Sequence, residues 1–357
     1  MAVGESNADL SNPFATCDAN GKPVEYRISS PVASRAIYDK VVQDEYKEAV
    51  RRGNIQRMFD NYLPYDQEKR KAQGRANETN INFGELRGFI EARSAVVQDM
   101  ALDTTPLVEL RPKNPAIAGP DAARLSEIIS EEFSQVLRES RRFLPALTLM
   151  VQQADLFGLG PITWKTPRDY QPTALRRGQL KFPQNTSAFS NEAELLMVDY
   201  TLPAAYLFGL FDNVAASEAE GWNMKALKRF LVSVFVAKNP TESEPSNLMG
   251  TTTIESLIAL WRQNRGVDES QFQTVHVVAD YVREVSGKRG ISHSIRAASV
   301  TDMRLPTDPP EVPVQEEWLF RKKDAFDNMD QCLIWLPSTA AEVEARGLRG
   351  IASQLYP

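Results

Sequence analysis

At Gly158 and Gly160 the pattern of the chain changes, and that change narrows the folds open to it. Upstream, in "RRFLPALTLMVQQADLFG", Phe143, Leu147, Met150, Val151 and Ala154 recur on one side of a helix. Pro145 is tolerable there only within the first turn. Downstream, "PITWKT" reads as a strand. A phosphate loop needs the opposite order: strand, glycines, then a helix whose N-terminus faces the anion. Here the helix end on offer is the partly negative C-terminal one. No third glycine and no Gly-Lys-Ser/Thr ending follows. The two glycines therefore read as a helix C-cap. Asp155, just before them, reads as a solvated last-turn residue.

Helical stripes dominate the first half. One helix is predicted from Ser34, its N-cap, to Tyr62, with Gly53 and Asn54 as the place of any interruption. A second stripe runs through Phe83, Leu86, Phe89, Ile90, Val96, Val97 and Met100, with Asn82 as its cap. Gly88 inside it costs roughly 1 kcal/mol against Ala, so close packing is expected there. "PLVELRP", Pro106 to Pro112, alternates like a strand. In the next helix Pro120 suits the first turn, and Leu125, Ile128, Ile129, Phe133, Val136 and Leu137 form one face.

Further on, "LLMVDYTLPAAYLFGLFD" reads as strand then short helix, and Trp222, Leu227, Phe230 and Leu231 lie on another helix. Thr252 and Glu255 form a capping box. A β-hairpin follows: Val275, Val277, Ala279 and Tyr281 alternate with His276, Val278, Asp280 and Val282, and Ser286 to Gly290 form the tip. "EEWLFRKKDAFDNMDQCLIWLP" is a strand, a polar break and another apolar segment, and a short helix is expected near the C-terminus. These features divide the chain into a loose arm (1–30), a helical part (31–165), a Pro-rich connection with a mixed segment (166–250), and a helix plus β section (251–357). The fold class expected is α+β, helix-dominated.

No active site is visible. His276, His293, Cys17 and Cys332 lack metal-ligand spacing, so no metal and no cofactor are expected. His276 falls on the more polar face of its strand and reads as exposed or satisfied, as does His293. Two distant cysteines imply free thiols in a reducing compartment. "MAVGESNADLSNPF" lacks the features of a signal peptide, and no apolar run approaches the roughly 20 residues of a membrane span. Net charge is −6, which disfavours a chain-wide grip on nucleic acid. Within "ALRRGQLK", Arg176, Arg177 and Lys181 are the best candidates for contact with DNA or a partner, although Tyr170 and Phe182 are not interleaved with them as in a stacking platform. Adjacent carboxylates such as Glu131–Glu132 face different ways and make no acid/base pair.

Five stretches in order resemble the portal proteins of tailed bacteriophages. They are "DNYLPYDQEKRKAQGRANETNINFGELRGFIEA", "DLFGLGPITWKTPRDYQP", "EGWNMKALKRFL", "VHVVADYVREVSGKRGISHSI" and "EWLFRKKDAFDNMDQCLIWLP". The resemblance covers roughly residues 50 to 357 and rests on the ordered set, since no single motif is specific and none is catalytic. It implies a portal-like wing of helices with a small β section, in a chain shorter than such proteins usually are. A truncated or N-terminal portion is therefore expected, with the stem and clip beyond Pro357.

The implied function is that of a non-enzymatic ring subunit, in a ring of about twelve closed by heterologous contacts. Such a ring sits at a capsid vertex and passes double-stranded DNA in and out without tight binding. The implied partners are the terminase large subunit, capsid and scaffolding proteins and a tail adaptor; the implied location is the virion, after assembly in the host cytoplasm. Amphipathic helices and scattered aromatics could supply the subunit contacts. Two other classes stay open: another virion structural or assembly protein, and a hydrolase whose dispersed carboxylates, Asp155, Asp169, Asp280 or Glu284, meet in one pocket.

Overall fold

A computed structural model describes residues 28, 30–60, 85–111, 119–164, 171–235, 274–284, 290–298, 317–337 and 345–352. Its elements run, in chain order, α1 (Pro31–Asp44), α2 (Tyr46–Phe59), α3 (Glu85–Asp103), α4 (Pro120–Glu139), α5 (Phe143–Phe157), β1 (Leu159–Thr163), β2 (Thr173–Ala174), β3 (Leu180–Lys181), β4 (Leu195–Pro203), α6 (Ala204–Gly209), α7 (Val214–Glu220), α8 (Met224–Phe235), β5 (Thr274–Glu284), β6 (Gly290–Ala297), β7 (Phe320–Phe326) and β8 (Leu333–Pro337). The protein is a helix-dominated α+β fold with two antiparallel sheets among the described residues. It divides into two compact units, one built on α1, β3 to β7 and α6 to α8, the other on α2 to α5, β1, β2 and β8. Both units draw on stretches from either side of residues 165 and 250, so they run across the divisions by sequence character.

In the first unit the strand order is β3-β4-β5-β6-β7. β4 pairs with β5 from Leu195↔Val282 to Pro203↔Thr274, and β5 with β6 from Val277↔Ala297 to Glu284↔Gly290. The expected hairpin is thus present; residues 285–289 of its tip lie outside the described residues. The expected polar face of β5 is not. Residues 277 to 281 are all buried, because α1 covers the face that carries Val278 and Asp280. Tyr38 and Val41 of α1 pack there with Leu195, Met197 and Val278.

Ser34 does not cap α1. The helix starts three residues earlier, where the Ser30 hydroxyl accepts the Ala33 amide at 3.2 Å. Ser34 is instead fully buried and donates to Asp280 at 2.5 Å, while Arg296 Nε donates to the Ser34 hydroxyl at 3.0 Å. Alternation puts Asp280 on the more polar side of β5, with His276, and packing of α1 on that side buries it. Trp222 precedes α8 rather than lying in it, and makes an edge contact with Phe320, ring centroids 5.1 Å apart.

In the second unit α2, α3 and α5 meet around Ile55, Ile90 and Leu156. The helix predicted from Ser34 to Tyr62 breaks at Glu45, and Gly53 sits unbroken inside α2. A Cβ at Gly88 would meet nothing within 4 Å, so the close packing expected there does not occur. Gly158 adopts φ +88° and donates its amide to Ala154 at 2.8 Å, which ends α5 as a left-handed cap. Gly160 meets a different demand: a Cβ there would overlap the Met150 carbonyl, since β1 turns back against α5. β1 then pairs with β8 from Leu159↔Pro337 to Thr163↔Leu333. The expected strand at 106–112 is no strand in its described residues, 106–111. Thr252, Glu255, Asn82 and Asp169 lie outside the described residues, as do 338–344 and 353–357 of the C-terminal stretch.

Candidate interaction surface

An amphipathic helix ordinarily turns its apolar stripe to the core. α4 does the reverse. At helical spacing, Ser126, Ser130 and Ser134 fall on one side and Leu125, Ile128, Ile129 and Val136 on the other. The buried side is the serine side: Ser130 and Ser134 are buried, with Leu137 next to them. The apolar side is exposed, Leu125 at 57%, Ile128 at 48%, Ile129 at 44% and Val136 at 43%.

The serines face inward because the segment after Pro106 needs partners. An extended stretch presents alternate amides on one side. The Val108 amide donates to Ser134 at 3.1 Å and the Leu110 amide to Ser130 at 2.8 Å. Each hydroxyl in turn donates one turn back along α4, Ser130 to the Ser126 carbonyl and Ser134 to the Ser130 carbonyl, both at 2.6 Å. Alternation in "PLVELR" is therefore real, but its partner is a column of hydroxyls and not a strand. Arg138 adds a hydrogen bond to the Thr104 carbonyl. With the serines so engaged, the apolar stripe is left to water, at roughly 1 kcal/mol or more of unrealised burial per side chain.

α3 carries a second exposed row on a side adjoining its buried one. Ile90, Ser94 and Ala101 are buried; Phe89, Val96 and Met100 are exposed. Val96, Asp99, Met100, Asp103 and Thr104 line a shallow open groove of about 360 Å³. On α2, Tyr46 and Val50 are exposed while Ile55 is buried. Three helices of one unit thus carry exposed apolar side chains.

The basic residues singled out in the sequence divide differently. Arg176 is exposed, and Lys181 is half-buried in β3 opposite Met197. Arg177 is only 5% exposed and forms an ion pair with Glu45 at 3.5 Å. Burial and this pairing leave Arg177 little surface to offer DNA or a partner. Glu45, itself buried, also faces Arg52 at 3.1 Å and Arg346 at 3.8 Å. Burial pulls the Arg177 guanidinium down to about 10, against the pull of Glu45 in the opposite direction. The sequence offered no sign that two neighbouring arginines would part in this way, one outward and one in.

Asp155 is likewise not a solvated residue. It is 3% exposed and paired with Arg93 at 3.1 Å; burial raises its pKa and Arg93 opposes that rise. Asp280 is engaged by Ser34 under α1. Asp169 and the Glu284 side chain lie outside the described residues. His276 is exposed on β5. His293 stacks on Tyr281 with ring centroids 4.7 Å apart, and Phe320 and Phe326 flank it at 5.1 and 6.2 Å. Burial lowers its pKa to about 4, and Lys322 acts in the same direction.

Among the described residues no group of three or more His, Cys, Asp or Glu side chains could hold a metal ion. No described helix is long and apolar enough to cross a membrane. Compared with protein-family models and with curated proteins, the chain matches none.

Proposed function

We propose that the chain is a structural subunit of the portal type, one of a closed ring through which double-stranded DNA enters and leaves a phage capsid. The single observation that carries the assembly part of this reading is the outward apolar stripe of α4, Leu125, Ile128, Ile129 and Val136. A helix held to its own unit by serines keeps its hydrophobic side for something else, and a subunit contact is the direct use of such a side. The portal part rests on the ordered resemblance of five segments from about residue 50 onward. Acidity fits a conduit: each phosphate neutralised adds affinity and hence friction, and a net charge of −6 avoids that. Glu127, Glu131 and Glu132 on α4 also make its exposed surroundings a poor surface for DNA.

In this reading the subunit is not an enzyme, and the terminase that drives the DNA, the scaffold and the tail adaptor are separate proteins docking on the ring. The test is the mass of the purified full chain by native mass spectrometry, with negative-stain images of the same sample. Closed rings of about a dozen subunits are expected. A monomer at all concentrations, or a two-fold dimer, would overturn the ring.

A further inference from the structure

Resting on the reading of the chain as a self-assembling subunit, we infer that the α3 groove receives the outward face of α2 from a second copy of the chain. The groove pairs two apolar side chains, Val96 and Met100, with two carboxylates, Asp99 and Asp103. Both pairs have i, i+4 spacing, so each forms a row along the helix. The outward face of α2 has the complementary chemistry. Tyr46 and Val50 are exposed and one turn apart, and Lys47 and Arg57 stand exposed beside them. None of Lys47, Arg57, Asp99 and Asp103 is in an ion pair among the described residues. Gly53 falls between Val50 and Arg57 on the same face, and a Cβ there would meet nothing within 4 Å. A bare glycine at that point lets another helix approach closely.

The pairing cannot be made within one chain. Ile55, which packs with Ile90 of α3, lies on the opposite side of α2 from Tyr46 and Val50. α2 therefore turns its basic, apolar face away from the groove of its own α3. Two different patches that complement each other make a heterologous contact, which propagates head to tail and closes when the rotation allows. Nucleic acid is the wrong occupant, since two carboxylates line the groove. The outward stripe of α4 carries one exposed arginine, Arg124, beside several carboxylates, Glu127, Glu131 and Glu132 among them, and so matches the two aspartates less well than α2 does.

Charge reversal on each side tests this in the full chain. Asp99→Lys with Asp103→Lys changes the groove; Lys47→Glu with Arg57→Glu changes the other face. All four positions are exposed, so each variant is expected to fold as the parent does, which circular dichroism checks. By sedimentation velocity, each double variant alone is expected to lose association by about tenfold or more. Mixed one to one, the two are expected to restore it, because each then offers the charge that the other's patch requires. Variants that assemble as the parent does, or a mixture that stays dissociated, would overturn the pairing. The ring reading fails separately. A parent that is monomeric sinks both, whereas a parent two-fold dimer that dissociates on reversal and re-forms on mixing sinks only the ring.

Discussion

Ser34 and Asp280, 246 residues apart in sequence, share a hydrogen bond of 2.5 Å with both side chains buried. Arg296 completes the arrangement from β6, donating to the Ser34 hydroxyl and lying 5.1 Å over the Tyr38 ring. α1 is thereby fixed to the sheet by polar contacts as well as by the packing of Tyr38 and Val41. Replacing Ser34 by Ala removes a buried bond to a carboxylate, worth about 2 kcal/mol. Urea unfolding of Ser34→Ala, followed by circular dichroism, is expected to show that loss. An unchanged midpoint would mean that α1 is held by its apolar contacts alone.

The inverted α4 predicts a contrast between two sides of one helix. Ile128→Glu places a charge on the exposed stripe and is expected to change monomer stability by no more than about 0.5 kcal/mol. It should nevertheless reduce assembly. Leu137→Glu buries a carboxylate on the serine side and is expected to cost about 3 kcal/mol or more. Thermal unfolding and sedimentation velocity on both variants separate the effects. An Ile128→Glu that unfolds the protein while Leu137→Glu does not would show that α4 faces the ordinary way.

That contrast also explains what the sequence made legible. Helix α5, its Gly158 cap and strand β1 could be read because periodicity and capping are local properties. The stripe on α4 was equally plain, but periodicity reports that a helix is two-sided and not which side turns inward. The direction depends on Ser130 and Ser134 meeting the amides of Leu110 and Val108, a contact between segments some twenty residues apart. Ser34 was misassigned for the same reason: a serine near a helix start looks like a cap when its partner, Asp280, is far along the chain. Alternation on β5 puts Asp280 on the same side as His276 and cannot reveal that α1 covers that side. The segment 106–111 had the alternation of a strand and lacked only another strand beside it.

Arg176 and Arg177 should behave oppositely despite being neighbours. Arg177→Ala leaves Glu45 without one of its cations inside the unit, and breaking a buried pair from one side costs about 3 kcal/mol or more. Arg176→Ala, at an exposed position, is expected to change stability by no more than about 0.5 kcal/mol. Differential scanning calorimetry of the two variants checks this. If Arg177→Ala were as stable as the parent and weakened DNA binding instead, the sequence-based assignment of Arg177 as a DNA contact would be restored.

His293 links the sheet of the first unit to pH. Its ring stacks on Tyr281 between Phe320 and Phe326, its Nε2 makes no hydrogen bond among the described residues, and its folded pKa is pulled down to about 4. The unfolded chain binds this proton near pH 6.5, about the ordinary value for histidine. Between those two values the unfolded state holds more protons than the native one, so stability rises with pH. The contribution is complete above about pH 6.5 and is lost progressively as the pH falls toward 4, by roughly 2 kcal/mol in all for a half-buried residue. Lys322, the cross-strand neighbour on β7, acts on His293 in the same direction as burial. Urea unfolding at pH 7 and pH 4.5 reads the difference directly, and His293→Gln, which cannot titrate, should lose most of it. A His293→Gln chain with the same pH dependence as the parent would place the acid sensitivity elsewhere in the protein.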